Sequence, residues 1–354
     1  MNNSNDFYVI GLMSGTSLDG LDLCYVHFKQ ESQWNFEIIY ATTLSYSSQW
    51  FKKLSHAHLH SVSYVNQLNY EYSLYLNKQI HEFIATYSIK KIDLIASHGH
   101  TVWHQPQENF TKQIGDHQVI ASNLKVPVVV DFRSQDVALG GQGAPLVPFG
   151  DHYLFSEYDA CLNFGGFANV SMLKNQQRIA FDVCPFNKVL NFYAQKLGKP
   201  FDDAGKIASS HQVNQDLLQK LNEIEFYQKS GPKSLGVEFL EQYIFPLIEA
   251  YHLSEGEKIA TFSKHISQQV SKVVTGYKQV LVTGGGAYND FIVSEIQKIT
   301  NTYLVIPNEK LIDFKEAMVF ALLGLMKYLG KNNVISSVTG AQKNHSSGKI
   351  IKPS

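Results

Sequence analysis

Glycine, hydroxyl and carboxylate residues are concentrated near the start of the chain, in residues 11–22. The stretch contains three glycines, three hydroxyl residues and two carboxylates: Gly11, Gly15, Gly20, Ser14, Thr16, Ser17, Asp19 and Asp22. Glycines let backbone N–H groups converge on one point and let a ligand approach closely. Such a nest suits phosphate oxygens, and carboxylates beside it suit a phosphate-bound Mg²⁺ held through water. An ordinary glycine-rich hairpin is the alternative interpretation.

A second candidate for chemistry is Asp182, at the end of the predicted strand 179–183. Pro185 follows three residues later and starts a predicted helix through Leu197. A carboxylate at a strand end can face a cleft and act as a general base. Capping of the following helix is the alternative.

The loop 97–106 follows a predicted buried strand and carries three histidines, a threonine and a tryptophan. Loops at the carboxyl ends of strands are where open α/β sheets bind ligands. Sugar or peptide recognition with Trp103 as a platform, a metal site and a purely structural loop are all compatible with this composition. A metal is the least favoured, because no second partner for the histidines is evident.

Asp131, Arg133 and Asp136 cluster after the predicted strand 127–130, and the residues that follow are rich in glycine and proline. Substrate binding and a salt-bridged hinge explain the charged residues equally well. The glycine and proline density up to Pro148 predicts a lobe boundary or hinge.

The elements that position these residues form a repeated pattern. Strand, glycine turn and strand occupy residues 8–26, with a third strand at 36–43. The same order returns at 160–173, around Gly165 and Gly166, with a third strand at 179–183. Helices follow each meander, so the pattern indicates two related halves whose hairpins grip the two ends of a triphosphate.

A last glycine cluster, Gly284, Gly285 and Gly286, lies between a predicted strand at 279–283 and a helix that begins near Asp290. Three glycines at this position allow close approach of a flat ligand or a phosphate. A strong helix is predicted over 313–329. The Ser-, Asn- and Lys-rich tail, 334–354, is expected to be partly mobile, with residues 338–341 as a docking segment.

Length and composition set limits on the class of protein. The chain has 354 residues, which suits two lobes, and 44% hydrophobic and 17% charged residues, as in a globular protein. The formal net charge of −1 gives no case for nucleic acid or an anionic membrane as a partner. Three separated cysteines, a polar N-terminus and the lack of a long apolar run predict a cytoplasmic protein.

Taken in order, the motifs resemble those of bacterial anhydro-N-acetylmuramic acid kinases over nearly the whole chain. The matching segments are Gly11–Asp22, Ser97–His104, Gln113–Asp116, Asp131–Arg133, Gly140–Leu146, Asn163–Asn169, Gly284–Ala287 and Val338–Ala341. The resemblance implies an α/β, two-lobed actin-like ATPase, a duplicated ribonuclease H-like βββαβαβα fold with an ATP cleft between the lobes. Residues 1–131 with about 336–354 would form the N-terminal lobe with the phosphate loop. Residues 132–335 would form the C-terminal lobe with the catalytic aspartate and the adenosine-binding glycines.

The resemblance also implies an activity: the 1,6-anhydro ring of 1,6-anhydro-N-acetylmuramic acid is opened hydrolytically and phosphorylated by ATP, in peptidoglycan recycling. The products are N-acetylmuramic acid 6-phosphate and ADP. The partners implied are ATP, Mg²⁺, the amino sugar and a second copy in a homodimer. A kinase for another sugar and a catalytically silent nucleotide-binding regulator are the alternatives.

The implied roles follow the matching motifs. Asp182 is the general base. ATP contacts are implied for Gly15, Thr16, Ser17, Leu18, Asp19, Gly20, Leu21, Asp22, Gly165, Gly166, Gly284, Gly285 and Gly286. Water-mediated Mg²⁺ contacts are implied for Asp19 and Asp22. Sugar contacts are implied for His98, Thr101, Asp116, Asp131, Arg133 and Asn187.

One segment departs from the family. Where the family commonly has Asp-Thr-Gly-Pro-Gly-Asn, this chain has Asp182-Val183-Cys184-Pro185-Phe186-Asn187. The carboxylate, the proline and the asparagine remain. Cys184 and Phe186 are expected either to narrow the pocket or to line it against a sugar face, and this places the identity of the sugar in question.

Overall fold

The computed structural model describes residues 5–15, 17–229 and 231–353. The chain divides into two compact units. Unit 1 comprises Met1–Leu154 and Phe314–Ser354, and unit 2 comprises Phe155–Asp313.

Unit 1 begins with a β-meander. Its elements up to the boundary are β1 (Asp6–Ser14), β2 (Leu21–Gln30), β3 (Trp34–Leu44), α1 (Ser48–Ser55), α2 (Val62–Thr86), β4 (Leu94–Ser97), β5 (His100–Gln105), β6 (Phe110–Ile114), β7 (Val128–Val130), α3 (Ser134–Ala138) and α4 (Pro148–Leu154). The strands β5 and β6 pair as a separate antiparallel hairpin.

The long helix α2 forms where the sequence predicts it. The Ser61 side chain accepts a hydrogen bond from the backbone N–H of Tyr64 and so caps the first turn. Buried side chains recur at helical spacing along one face: Val65, Leu68, Tyr72, Leu76, Ile80 and Phe83. This face packs into the core of unit 1 together with apolar residues of β1, β2 and β4.

Unit 2 opens with a second meander. Its elements are β8 (Ala160–Phe164), β9 (Phe167–Lys174), β10 (Gln177–Pro185), α5 (Asn187–Lys196), α6 (Lys206–Ser210), α7 (Gln215–Glu223), α8 (Val237–Phe239), α9 (Phe245–Glu249), α10 (Glu255–Val274), β11 (Gln279–Thr283), α11 (Asp290–Ile299) and β12 (Tyr303–Val305). The final elements are α12 (Glu309–Tyr328), which crosses the unit boundary, then α13 (Ser336–Thr339) and β13 (Lys349–Ile351).

The two main sheets share one topology. In unit 1 the strand order is β13-β7-β4-β1-β2-β3, and in unit 2 it is β10-β9-β8-β11-β12. In both, a three-stranded antiparallel meander is extended by two parallel strands, β4 and β7 in unit 1 and β11 and β12 in unit 2. The duplicated ribonuclease H-like arrangement is therefore confirmed.

The C-terminal tail was expected to be partly mobile, and the structure differs. β13 pairs antiparallel with β7, from Lys349 opposite Val130 to Ile351 opposite Val128, and adds a sixth strand to the first sheet. Residues 338–341 dock, as predicted: the Gln142 N–H donates to the Thr339 carbonyl at 2.7 Å. Main-chain pairing with an existing sheet edge orders a polar segment that has little apolar surface to bury.

The unit boundaries also lie elsewhere than the sequence suggests. They fall at residues 154/155 and 313/314, not near 131 and 335, so the glycine- and proline-rich segment 131–148 belongs to unit 1. Its charged residues hydrogen-bond within that unit. The roles of the phosphate loop in one lobe and of the catalytic aspartate and the adenosine-binding glycines in the other stay a prediction.

Among the described residues, no helix combines the length and apolar character that crossing a bilayer requires. Cys24, Cys161 and Cys184 are buried, and none of the three forms a disulfide bond.

Candidate active site

The predicted phosphate loop lies between β1 and β2 in unit 1. Ser14 at the end of β1 pairs with Leu21 at the start of β2, and Leu21 is buried. Between them, Ser17 and Asp19 are exposed. Leu18 has a left-handed backbone with φ 61°, and its N–H donates to the Gly15 carbonyl at 3.3 Å. Thr16 lies outside the described residues.

Gly20 closes this loop, and the site has no room for a side chain. A Cβ there would lie 2.7 Å from Thr43 Cγ2 and 2.9 Å from the Leu44 carbonyl oxygen, both on β3. The turn therefore packs directly against the third strand, and its exposed tip is the part that can meet a ligand.

The carboxylates predicted to approach Mg²⁺ differ in setting. Asp22 is half-buried on β2, and the Thr43 hydroxyl donates to its Oδ1 at 2.6 Å. Among the described residues, no group of three or more His, Cys, Asp or Glu side chains is gathered to hold a metal. Mg²⁺ commonly keeps several waters and takes one or two carboxylates with phosphate oxygens, so Asp19 and Asp22 fit a water-mediated role.

A buried chain of polar side chains anchors the start of the loop. The Tyr46 hydroxyl donates to Ser14 Oγ at 2.7 Å and lies 2.8 Å from the Tyr72 hydroxyl, while Ser14 Oγ lies 3.0 Å from His100 Nδ1. Burial lowers the pKa of His100 to about 4. His100 is therefore neutral at pH 7, and the loop is held by hydrogen bonds without a charge at its base.

His98 and Arg133, both predicted to contact the sugar, are in direct contact. Arg133 Nε donates to His98 Nε2 at 3.0 Å, and His98 Nδ1 lies 2.9 Å from the Gly99 carbonyl oxygen. This pattern requires the neutral tautomer with the proton on Nδ1. Burial holds the pKa of His98 well below its usual value, and the Arg133 charge lowers it further.

Glu316 near the start of α12 completes this group and was missed from the sequence. Burial lowers the pKa of Arg133 to about 10, opposed by the charges of Glu316 and Asp136. Burial raises the pKa of Glu316, opposed by Arg133 and Lys315. The only sign of Glu316 in the sequence was its position as a carboxylate immediately before the apolar run 317–323.

The other predicted sugar contacts of unit 1 occupy separate positions. Asp131 has φ 54°, and its Oδ1 accepts from the Ser134 hydroxyl at 2.6 Å, at the start of α3. Asp116 accepts from Asn69 Nδ2 at 2.6 Å and lies 3.3 Å from Lys112 Nζ. Asn69 on α2 was also missed, because only tertiary packing brings it to this turn.

Thr101 lies on β5 opposite Gln113 and is half-buried. It therefore belongs to the β5–β6 hairpin and not to the His98–Arg133 contact pair. Asp116 follows the same hairpin, so the hairpin carries two of the six predicted sugar residues.

Asp182 lies on β10 in unit 2, at a β-bulge between Asp182 and Cys184. Its backbone N–H donates to the Lys233 carbonyl at 2.8 Å, and the Leu235 N–H donates to its Oδ2 at 2.7 Å. Burial raises the pKa of Asp182, and the Leu235 N–H opposes that rise. The carboxylate is thus oriented by the 233–235 segment, not by the first turn of α5, and capping is not its role.

The second glycine turn, Gly165-Gly166, receives the start of α5. The N–H groups of Phe186 and Lys188 donate to the Gly166 carbonyl at 2.9 and 3.2 Å, and the Asn187 N–H donates to the Gly165 carbonyl at 3.2 Å. The carbonyl oxygens of this turn therefore accept hydrogen bonds from the start of α5.

A cavity of about 430 Å³ lies within unit 2. Its lining consists of the α5 start, the 201–204 loop and the glycine cluster after β11: Asn187, Leu190, Asn191, Phe201, Asp202, Asp203, Ala204, Gly285, Gly286, Tyr288 and Asn289. Asp202, which sequence reasoning left without a role, is buried and accepts from the Ile207 and Ala208 N–H groups at 2.7 and 3.0 Å. Gly284 is just outside the lining and has φ +82°.

The departures at Cys184 and Phe186 do not narrow this cavity. Both side chains have 0% exposure and belong to the core of unit 2. The Phe186 ring stacks on Phe164 at 4.8 Å, and a Cβ on Gly286 would lie 2.5 Å from Phe186 Cε1. Phe186 therefore supports Gly286 from the core side, and the expectation that it lines the sugar pocket is wrong.

Comparison with known proteins agrees with the motifs. A family model described as anhydro-N-acetylmuramic acid kinase matches residues 7–353. This chain belongs to the anhydro-N-acetylmuramic acid kinase family. A Bacillus cereus (strain ATCC 10987 / NRS 248) kinase of that name is 32% identical, covering 98% of this chain and 99% of the relative. One from Bacillus thuringiensis (strain Al Hakam) is 31% identical, covering 98% of each.

Solved structures of other proteins align with this family member more distantly. Component A of (R)-2-hydroxyglutaryl-CoA dehydratase from Acidaminococcus fermentans has a TM-score of 0.47 at 13% identity and covers 91% of this chain and 99% of its own. A ROK family glucokinase from Streptomyces griseus, solved with glucose and AMPPNP, has a TM-score of 0.41 at 10% identity and covers 90% and 99%.

Proposed function

We propose that this protein is an ATP-dependent kinase that opens the 1,6-anhydro ring of 1,6-anhydro-N-acetylmuramic acid with water and phosphorylates the 6-position, in peptidoglycan recycling. The products are N-acetylmuramic acid 6-phosphate and ADP. The observation that carries the proposal is the setting of Asp182: a half-buried carboxylate with a raised pKa, oriented by one backbone N–H, at the motif position of a whole-length family match.

Asp182 acts as the general base. A water molecule between the Asp182 carboxylate and the anomeric carbon loses a proton to Asp182 as the water oxygen bonds to C1. The bond from C1 to the bridging oxygen breaks, and its electron pair stays on the oxygen attached to C6. That oxygen bonds to the γ-phosphorus of ATP, and ADP leaves. The raised pKa makes the ionised Asp182 carboxylate a stronger base.

The phosphate loop of unit 1 holds the transferred group. Phosphoryl transfer needs positioning and charge neutralisation more than covalent help from the protein. The exposed tip at Gly15, Ser17 and Asp19 supplies backbone and hydroxyl donors to the phosphates. When bound, Mg²⁺ neutralises phosphate charge, with Asp19 and Asp22 holding its water ligands.

The cavity of unit 2 holds the adenosine portion. Its volume of about 430 Å³ lies in the range of small-molecule sites, and Phe201 and Tyr288, which are 54% and 42% exposed, flank it with aromatic surface. Gly285 and Gly286 permit close approach of the flat base. Asn187 lines the same cavity, so we assign it to the nucleotide, although a sugar contact was predicted for it.

The sugar is recognised by the polar residues of unit 1, with Arg133 as the principal one. N-acetylmuramic acid carries a lactyl carboxylate, and an arginine guanidinium is the side chain best suited to bind one. His98 orients the guanidinium, while Thr101, Asp116 and Asp131 offer hydroxyl and carboxylate groups for sugar hydroxyls and the amide. A homodimer and a cytoplasmic location are further parts of the proposal.

A panel assay tests the function. The protein is incubated with ATP and Mg²⁺ and with 1,6-anhydro-N-acetylmuramic acid, its N-acetylglucosamine counterpart, free N-acetylmuramic acid or glucose, and the products are weighed by mass spectrometry. We expect ADP and a product heavier than the anhydro sugar by one water and one phosphoryl group. The counterpart without the lactyl carboxylate should react poorly.

The same panel separates the alternatives. Preferred turnover of another sugar would identify a different sugar kinase, and ATP binding without turnover of any sugar would identify a silent regulator. The residues that depart from the family pattern, Cys184 and Phe186, lie in the core and do not line the cavity.

A further inference from the structure

Asp136 is a fully buried carboxylate of unit 1 that the proposed chemistry does not use. It lies on α3 with 0% exposure. Its Oδ2 accepts from the Gly143 N–H at 2.7 Å, and its Oδ1 accepts from the Thr339 hydroxyl at 2.7 Å. His345 Nε2 lies 3.6 Å from the same Oδ1. A buried carboxylate persists only where donors satisfy it, so these partners are a requirement of the site.

The glycine-rich loop 140–143 fits closely around this carboxylate. A Cβ on Gly141 would lie 2.2 Å from Asp136 Oδ2, and Gly143, with φ +68°, would place a Cβ 2.9 Å from Val137 Cγ2. The Gly141 N–H also donates to the Asp136 carbonyl at 2.9 Å. The loop therefore packs too closely against its surroundings for a side chain at either position, and both require glycine.

The C-terminal segment fastens the loop from the other side. The Gln142 N–H donates to the Thr339 carbonyl at 2.7 Å, and the Gln342 N–H donates to the Leu139 carbonyl at 3.1 Å. With the Thr339 hydroxyl on Asp136, three hydrogen bonds join the segment 339–342 to residues 136–142.

The held loop presents one carbonyl to Arg133. Arg133 Nη1 donates to the Gly143 carbonyl at 2.6 Å, while its Nε donates to His98. A continuous series of contacts thus runs from Thr339 through Asp136 and Gly143 to the guanidinium. Each link is a short hydrogen bond between groups that are wholly or partly buried.

We propose that Asp136 and Thr339 are positioning residues that set the orientation of Arg133 for the sugar. Asp136 fixes the Gly143 peptide, the Gly143 carbonyl fixes one arm of the guanidinium, and Thr339 keeps Asp136 in place. The segment 338–341, far from every other site motif in sequence, then has a role in sugar affinity. The expected effect on sugar affinity rests on the proposed function. The proposed role in orienting Arg133 does not depend on that function.

Steady-state kinetics provide the first test. Thr339→Val removes the hydroxyl and keeps the shape, Thr339→Ser keeps the hydroxyl, and Thr339→Ala serves if the valine variant folds poorly. Thr302→Val is the matched control, because the buried Thr302 hydroxyl donates to the Val274 carbonyl at 2.7 Å in unit 2. A misplaced guanidinium should raise the KM of the sugar roughly tenfold, with the KM of ATP within about twofold of wild type.

The serine variant should restore the sugar KM, and the Thr302 control should leave it unchanged even if its thermal stability falls. A folded valine or alanine variant with wild-type KM for the sugar would overturn the proposal. Equal increases in the KM of ATP and sugar would also overturn it, because they would indicate general loosening of the fold.

The second test is independent of any substrate. The chain has two arginines, Arg133 and Arg178, so protein labelled with ¹⁵N-arginine gives two Nε signals, and Arg133→Lys identifies them by removing one. We expect Thr339→Val to shift the Arg133 signal and speed its hydrogen exchange, with the Arg178 signal unchanged. An unchanged Arg133 signal would refute the positioning role. If no sugar is turned over by wild type but the signal shifts, the proposed function fails and the positioning role stands.

Discussion

Each unit contains the same strand–turn–strand hairpin, but the turn is exposed in unit 1 and covered by a helix start in unit 2. In unit 1, the turn between β1 and β2 exposes Ser17 and Asp19 at its tip, and its base is tied through Ser14 to Tyr46 and His100. In unit 2, the turn between β8 and β9 is covered by the start of α5, whose N–H groups bond to the carbonyls of Gly165 and Gly166. The first turn has an exposed tip, whereas the carbonyls of the second turn accept hydrogen bonds from the start of α5.

This difference fixes the path of the chain that follows the second turn. Because α5 begins on the second turn, residues 182–187 have a fixed path: Asp182 at the bulge, Phe186 in the core and Asn187 at the cavity. The first turn leads directly into the long strand β2. Under the proposed function, the duplicated fold would provide a ligand loop in unit 1 and a support for the base in unit 2.

The largest expected effect is the loss of turnover when Asp182 is substituted. Asp182→Asn keeps an acceptor for the Leu235 N–H but removes the base, so kcat should fall roughly 10²–10⁴-fold with the KM of ATP nearly unchanged. Asp216→Asn, an exposed carboxylate on α7 of the same unit, is the control and should retain wild-type kcat. Normal turnover in Asp182→Asn would show that Asp182 is not the general base.

The raised pKa of Asp182 gives this prediction a pH signature. The ionised form is the base, so wild-type kcat/KM should decline as pH falls through that pKa, at a pH above the usual range for an aspartate. A raised pKa in the folded state favours the protonated form, so its contribution to stability is lost as pH rises. Asp182→Asn should therefore be no less stable than wild type at pH 7, as thermal denaturation would show.

A smaller effect, on stability, is expected at the two turns. Phe186→Ala removes a fully buried ring beneath the second turn and should lower the free energy of unfolding by about 3–5 kcal/mol, measured by urea denaturation with circular dichroism. Leu18→Ala in the first turn, where the side chain is half-buried, should cost less than about 1 kcal/mol. Equal losses would contradict the contrast between an exposed and a covered turn.

The smallest effect compares alanine in the two turns. At Gly15 a Cβ would meet Ser17 Oγ at 3.3 Å, and at Gly166 it would meet the flexible Lys188 side chain at 3.0 Å, so both variants should fold. Gly15→Ala places a methyl group where the phosphates approach and should raise the KM of ATP roughly tenfold, or about 1.4 kcal/mol. Gly166→Ala should change it less than about threefold. A larger effect at Gly166 would show that the second turn also contacts ATP.

Helices, strands and their repeat were predictable because they depend on local patterns. The apolar spacing of α2 and the alternation in β2 and β9 depend on side chains a few residues apart, and glycines mark the turns. The duplicated meander followed from these signals, and the strand order that the two sheets share, apart from the added β13, confirms it. The candidate base, the glycine clusters and the family were likewise evident from residue types in sequence.

Contacts between distant segments were not predictable. Three hydrogen-bonded pairs show this. Asp136 and Thr339 are 203 residues apart in sequence, Arg133 and His98 are 35 apart, and Asn69 and Asp116 are 47 apart. A side chain's partners in a packed core depend on the whole path of the backbone, so local sequence carries no signal for them. The C-terminal tail is ordered in the same way by pairing with β7, and the residues of the tail alone do not reveal that this sheet edge is available.

The sequence by itself determined which residues are available for chemistry: a glycine and hydroxyl loop, a carboxylate at a strand end and a glycine cluster after another strand. Only the tertiary structure decided what holds each of them. It showed that Phe186 supports the core side of Gly286, that Asp182 is oriented by Leu235, and that Arg133 is fixed by a loop fastened to the C-terminal segment. The physical reason is that residue type sets the possible interactions, whereas burial and neighbouring groups select among them.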